Sequence, residues 1–183
     1  MAAQPLLSPH EGIAAAATAR AGNVGWGWAE DWLVPDYIRV FSSGGNMDLR
    51  NPEAVRPWPY LPDPLSGYLL LAEALCGGTS NYAEAWNFGP DASGDATVGE
   101  IARRVAALWG DGNVTLQASS GDLHEAGLLR LDITKARSRL HWQLRWPIER
   151  ALAETVAWYK AWHAGKDMHA FTLGQIAAFE GGA

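Results

Sequence analysis

Glycine and proline cut this chain into pieces too short for anything but brief strands and helices of a few turns. Twenty glycines and ten prolines punctuate 183 residues, and they fall where apolar or helix-spaced runs stop. Trp32 to Phe41 reads as a helix closed by Gly44-Gly45, Met47 to Arg50 as a strand before Asn51-Pro52, and Ala85 to Phe88 as a strand stopped by Gly89-Pro90. Asp63-Pro64 reads as a helix start, with Asp as cap and Pro at the first position, running to Leu75 before Gly77 and Gly78. Thr97 and Glu100 form a capping box ahead of Val98, Ile101, Val105 and Leu108, which recur at helical spacing. Val114 to Gln117 and Leu128 to Leu131 are strand candidates, and Thr134 to Leu140 a short helix. Pro147 opens a longer helix whose core face is Ile148, Leu152, Val156 and Tyr159, and Thr172 with Gln175 reads as a second capping box. Ile13 to Ala21 fits either a helix, by its alanines, or a buried strand. Short strands alternating with helices predict an α/β or α+β domain, and no linker divides residues 1–183, so a single domain is expected.

Composition removes several classes. Hydrophobic residues are 48% and charged residues 19% of the chain, which excludes a disordered chain. A formal net charge of −6 gives no basic surface, so no nucleic-acid partner is expected. The single Cys76 excludes an internal disulfide framework and reads as a small packed hydrophobe. No apolar run reaches the length of a membrane span, and the first residues lack the basic and apolar parts of a signal peptide. The expectation is a cytoplasmic chain with no membrane contact.

The motifs taken one by one stay open. Gly22-Asn-Val-Gly25-Trp-Gly27 is glycine-rich, but its glycines have the wrong order for a dinucleotide fingerprint. The five histidines include no H-E-x-x-H, and none is expected to hold a metal. Arg20, Arg39, Arg50 and Arg56 lie among turns and strand ends. Arg56, in Arg-Pro-Trp, could clamp a diphosphate through two parallel hydrogen bonds or form a surface ion pair with Glu53 or Asp63. Trp26, Trp28 and Trp32 crowd the glycine-rich loop and could be sugar-stacking rings, whereas Trp158 and Trp162 fit a core.

Several segments together change that balance. Ala19-Arg-Ala-Gly-Asn-Val24, Arg50-Asn-Pro52, Arg56-Pro-Trp58, Pro64-Leu-Ser-Gly-Tyr-Leu-Leu-Leu-Ala-Glu73 and Ala85-Trp-Asn-Phe-Gly-Pro90 form one set. Leu108-Trp-Gly-Asp111, His124-Glu-Ala126, Leu131-Asp132, the stretch from Pro147 to Lys160 and Phe171-Thr-Leu-Gly-Gln-Ile176 complete it. From about residue 10 to 180 the chain resembles the C-terminal half of the nucleotide-sugar 4,6-dehydratases that act on CDP-glucose, within the extended short-chain dehydrogenase/reductase superfamily. The resemblance implies an α/β fold: the substrate-binding part of an extended short-chain dehydrogenase, with short strands and several helices, and with the N-terminal NAD-binding sheet largely absent. It implies that Asn23 contacts and Arg56 grips the diphosphate of a sugar nucleotide, CDP-glucose, with Asn87, His124 and Glu125 at the nucleotide rim. The family reaction oxidises C4 by hydride transfer to NAD, removes water across C5 and C6, and returns the hydride to C6. In lipopolysaccharide O-antigen and other deoxysugar syntheses, that chemistry would make this chain part of a lyase.

The resemblance also exposes what this sequence lacks. Its tyrosines, Tyr37, Tyr60, Tyr68, Tyr82 and Tyr159, are followed four residues on by Phe41, Pro64, Ala72, Trp86 and His163, so no Tyr-x-x-x-Lys occurs. No catalytic residue is therefore expected here, NAD is not expected to bind this chain alone, and a complementary NAD-binding half or a homodimer would have to complete it. Trp32 stands where the family has a basic residue, at a cost of about 1.5–3 kcal/mol of charge-assisted contact. His141 replaces a glycine in a Leu-Gly-Trp turn, a strained exchange where φ is positive. A truncated or relic non-catalytic binding domain is the alternative.

Overall fold

The computed structural model describes residues 16–29, 32–49, 51–77, 80–91, 94–110, 112–116 and 127–182. The element order is β1 (Thr18–Ala21), α1 (Leu33–Ser42), β2 (Asn46–Leu49), β3 (Val55–Pro57), α2 (Pro62–Cys76) and β4 (Ala85–Phe88). There follow β5 (Asp95–Thr97), α3 (Val98–Trp109), β6 (Asn113–Leu116), α4 (Thr134–Arg139), α5 (Ile148–His163) and α6 (Met168–Glu180). Among the described residues the strands pair as β1 with β4 in parallel, β2 with β6 in parallel and β3 with β5 antiparallel. The α/β expectation holds, with short strands spread over small sheets.

Two apolar cores organise these elements. The larger gathers Tyr37, Phe41, Ile101, Val105, Leu152, Val156, Tyr159 and Phe179 from α1, α3, α5 and α6. The smaller gathers Leu71, Trp86, Phe88, Ala136 and Trp142 from α2, β4, α4 and the turn after it. Gly67 sets the α2 contact, since a Cβ there would lie 2.3 Å from the Phe88 ring. The turn from His141 to Pro147 joins the cores: Trp142 belongs to the smaller and Trp146 to the larger.

Local sequence explains the helix starts. The Thr97 hydroxyl accepts the Glu100 N–H at 3.1 Å and the Glu100 carboxylate accepts the Thr97 N–H at 2.8 Å, the reciprocal box expected from sequence. Two other starts differ. The second helix begins at Pro62, so Asp63 is inside its first turn and does not cap it. Its carboxylate turns instead to the joining turn and accepts the Arg145 N–H at 2.7 Å. The last helix begins at Met168, where Asp167 accepts the Ala170 N–H at 3.1 Å. That earlier cap leaves Thr172 inside the helix, accepting the Trp158 indole N–H at 2.9 Å. The described part of Ile13 to Ala21 is the strand β1, and it is only partly buried. Leu128 to Leu131 forms no strand beyond a bridge between Leu128 and Val55.

Candidate functional site

Parallel pairing of β1 with β4 points both C-terminal ends the same way, which is where open α/β sheets bind ligands. Asn23 follows β1 by two residues, and Asn87 is the penultimate residue of β4. Arg20 stands opposite Asn87 in the register. The Asn87 amide donates to the Asp132 carbonyl at 3.1 Å. The Asp132 carboxylate caps the Thr134 N–H at 2.9 Å, and that bond holds its pKa below the usual carboxylate range.

The chain after β1 then runs against the chain after β3. Gly22 is packed so that a Cβ would lie 2.6 Å from the Pro57 carbonyl oxygen. One residue beyond Asn23, Val24 N–H donates to Pro59 O at 2.8 Å and Val24 O accepts from Leu61 N–H at 2.8 Å. Asn23 thus lies between two contacts with the stretch that Arg56 leads into. Arg56 is half-buried on β3, opposite Ala96, and donates to the Val55 carbonyl at 3.0 Å. On the other side of β3, Val55 N–H donates to Gly127 O at 2.8 Å and Val55 O accepts from Leu129 N–H at 3.1 Å. His124 and Glu125 lie outside the described residues, as does Arg50.

Two residues that sequence reasoning assigned otherwise hold the loop beyond Asn23. The Tyr159 hydroxyl donates to Gly27 O at 2.6 Å, with Gly25 O at 3.3 Å. Burial pushes its pKa up, so it stays a donor at neutral pH. Trp26 donates its indole N–H to Gln175 Oε1 at 2.7 Å, and Gln175 donates in turn to the Glu154 carbonyl at 2.8 Å and carboxylate at 2.9 Å. Only the pairing of a polar Gln175 with an apolar helix could have hinted at this. Arg39 is spent locally, on Asp36 and on the Trp28 carbonyl. The loop tryptophans are therefore not a row of open rings. Trp26 is edge-on to Tyr60, Trp28 is edge-on to Tyr159 and tilted against Trp162, and both are half-buried. Trp32, at 48% exposure, keeps an open face; Trp162, at 48%, is less buried than a core residue should be. Cys76 is exposed at the end of α2, not packed as a small hydrophobe.

The glycines after β1 are packed against the chain that follows β3: a Cβ would lie 2.6 Å from the Pro57 carbonyl oxygen at Gly22 and 2.7 Å from the Leu61 Cβ at Gly25. Among the described residues no three His, Cys, Asp or Glu side chains gather into a metal site, and no helix is long and apolar enough to cross a membrane. A cavity of about 570 Å³ lies at the joining turn beside His141, Arg145 and Arg150, and Asn23, Arg56 and Asn87 do not line it.

This architecture is found in sugar-nucleotide dehydratases and epimerases. The dTDP-glucose 4,6-dehydratase of Bacillus anthracis, solved with NAD, superposes with a TM-score of 0.61 at 18% identity, over 79% of this chain and 44% of that one. UDP-glucuronic acid 4-epimerase of Bacillus cereus does so with a TM-score of 0.64 at 17% identity, over 79% and 45%. In sequence, the chain is 41% identical over 154 residues to CDP-glucose 4,6-dehydratase of Salmonella typhimurium, covering 83% of this chain and 43% of that enzyme. The chain is thus related to CDP-glucose 4,6-dehydratase and has the fold of part of an extended short-chain dehydrogenase, as the resemblance implied. It spans less than half the length of that curated relative. No family model matches it.

Proposed function

We propose that this chain is the sugar-nucleotide-binding portion of a nucleotide-sugar 4,6-dehydratase, with CDP-glucose as its ligand. The observation that carries this is the 41% identity over 154 residues. The laying of the Asn23 segment against the segment that follows Arg56 supports it. Arg56 supplies the guanidinium for the diphosphate, Asn23 an amide beside it, and Asn87 an amide at the shared end of β1 and β4. His124 and Glu125 complete the nucleotide rim in this reading.

The chain binds and orients; it does not by itself carry the reaction. The family's hydride transfers need NAD and a Tyr-x-x-x-Lys pair, and the sequence contains no such pair. Its own residues contribute charge and hydrogen-bond donors at the diphosphate, and a tyrosine- and glutamine-braced loop that fixes Asn23. Activity then requires a nucleotide-binding half, and the place of work is the cytoplasm. The same missing pair favours the second reading, a relic that keeps the fold without the turnover.

Titrating tryptophan fluorescence with CDP-glucose, against UDP-glucose and CDP, tests the binding claim. Trp58, whose indole donates to Ala96 O at 2.9 Å across from β3, and Trp26 are the reporters. Saturable quenching by CDP-glucose is expected, and Arg56→Ala should weaken it at least tenfold, since a charged hydrogen bond contributes about 1.5–3 kcal/mol. A folded protein with no response to any of the three would leave the relationship one of ancestry only.

A further inference from the structure

The turn from His141 to Pro147, which joins the two cores, borders the cavity of about 570 Å³. Small-molecule sites occupy roughly 300–1,000 Å³, so this one has the volume of a site. Its walls divide by chemistry. Leu70, Leu144 and Pro147 supply an apolar side, and His141, Arg145 and Arg150 supply hydrogen-bond donors. Glu180 is the single carboxylate among the described lining residues, so the charge around the space is net positive.

The two guanidiniums are placed but not paired. Arg150 is half-buried and lies 4.0 Å over the Trp146 ring, which also stacks on Tyr60 at 4.7 Å. Arg145 lies 5.0 Å from the Phe179 ring centre and donates to the Phe179 carbonyl at 3.4 Å. A ring fixes a guanidinium in position while leaving its N–H fork for an oxyanion. The acids of α5 near Arg150 are committed elsewhere. Glu149 pairs with Arg104 at 3.2 Å, and the Glu154 carboxylate accepts from the Gln175 amide at 2.9 Å. Among the described residues the Arg150 side chain has no hydrogen-bond or ion-pair partner, nor has the His141 imidazole. A half-buried charge without a partner is costly, and this one lines a cavity.

His141 is an independent sign. Its φ is positive, a conformation that side chains disfavour and glycine adopts freely. The imidazole is not spent on the fold, being exposed and part of the cavity wall. Backbone strain of this kind collects at ligand clamps, where a side chain is kept in place at a cost. The start of α5 adds to the positive field. Pro147 at its N-cap and Arg150 in its first turn both line the cavity, and Pro147 provides no side-chain cap, so the positive end of the helix borders the same space.

We propose that this cavity is a second binding site, separate from the stretches around Asn23 and Arg56, and that it takes an organic phosphate. Arg145, Arg150 and the His141 imidazole hold the phosphate, and the organic body lies along Leu70, Leu144 and Pro147. A phosphate suits this donor set better than a carboxylate, because it brings close to two negative charges and three free oxygens to two guanidiniums and an imidazole. The proposal is independent of CDP-glucose being a ligand of the chain.

Calorimetric titration of the folded chain tests it, with phenyl phosphate as the probe and inorganic phosphate, benzoate and benzyl alcohol as comparisons. Phenyl phosphate should bind saturably, and inorganic phosphate about fivefold more weakly for want of apolar contact. Benzoate should also bind more weakly than phenyl phosphate, and benzyl alcohol should not bind. Arg150→Gln should weaken phenyl phosphate about tenfold, through loss of a charge-assisted hydrogen bond. His141→Gly should weaken it about threefold, through loss of a neutral one, in a chain whose backbone it relaxes. Arg56→Ala should leave it unchanged, which keeps this result apart from that of the CDP-glucose titration. If Arg150→Gln fails to fold by circular dichroism, His141→Gly decides. The proposal is overturned by no saturable binding to the folded chain, by binding that Arg56→Ala removes, or by binding that Arg150→Gln and His141→Gly leave intact. Benzoate binding as tightly as phenyl phosphate overturns the assignment to a phosphate, and inorganic phosphate doing so overturns the organic body.

Discussion

The two cores of this molecule are unequally finished. Around α5 and α6 the apolar side chains meet one another: Trp146 stacks on Tyr60 at 4.7 Å and stands edge-on to Phe179 at 5.3 Å, and Arg150 covers its outer face at 4.0 Å. The loop after Asn23 is tied into the same packing by Tyr159 and Gln175. Around α2 and β4 the packing is sound on one side, where Phe88 meets Trp142 at 5.3 Å, and stops on the other, where Leu65 and Leu69 are exposed. A region that buries its own apolar surface is stable by itself. A region that buries half of it is stable in proportion to what it leans on. Asn23 directly precedes Val24 of the finished core, and Asn87 lies between Trp86 and Phe88 of the unfinished one.

The largest expected effect probes that asymmetry directly. Trp146→Ala removes a 97%-buried ring, Trp146 being only 3% exposed, and should destabilise the chain by about 3–5 kcal/mol. Leu69→Ala on the exposed side of α2 should cost less than about 0.5 kcal/mol. Urea unfolding followed by tryptophan fluorescence compares the two. Equal losses would mean that this side is already covered and the two regions are not different.

Asp63 joins the regions and gives the next effect. It is fully buried at the first turn of α2, accepts the Arg145 N–H, and its second carboxylate oxygen has no hydrogen-bond partner among the described residues. Burial raises its pKa from 3.8 to about 6, against the lowering pull of the Arg145 and Trp146 backbone N–H groups and the Arg145 charge. The folded state therefore holds its proton more tightly than the unfolded chain. The contribution of this group to stability is full below about pH 4 and is lost as pH rises through about 6. Asp63→Asn keeps an acceptor for Arg145 and removes the buried charge. It should raise stability by about 1–3 kcal/mol at pH 8 and by little at pH 4, in denaturant unfolding at the two pH values. A gain that does not depend on pH would rule out the ionised carboxylate as its source.

What the sequence reveals about these regions follows the range of the forces involved. Ala85 to Phe88 is legible to the residue, because Gly89-Pro90 ends it locally. The Thr97–Glu100 box is legible because both of its bonds span three residues. Thr172 and Gln175 have the same spacing, yet Asp167 caps the helix first and their side chains are claimed by Trp158, Trp26 and Glu154, contacts no spacing encodes. The three-residue strands β3 and β5 escape notice because one ends in proline and three residues are too few for alternation to count as a strand signal. Asn23 is legible as a candidate through the resemblance alone, and Arg56 through its Arg-Pro-Trp setting together with the resemblance. What brings their two segments together is Gly22 meeting Pro57 across 35 positions of chain.

The smallest effect lies in the turn between the regions. His141 has φ of 52°, and it has the only positive φ outside glycine among the described residues. It directly follows Leu140, the C-cap of α4, where a left-handed residue commonly ends a helix. Glycine enters that region freely, whereas a side chain there costs roughly 1–2 kcal/mol. The expectation drawn from the Leu-Gly-Trp pattern is therefore met in the backbone. Glycine also frees the unfolded chain, which offsets about 0.5–1 kcal/mol of the gain. His141→Gly should then stabilise the protein by about 0.5–1 kcal/mol, a rise of roughly 2 °C in Tm for a chain of this length. His141→Ala keeps the Cβ and the strain, so it should give no such rise. If alanine gains as much as glycine, the cost lies in the imidazole beside Arg145 and not in the backbone, and the joining turn is relaxed as it stands.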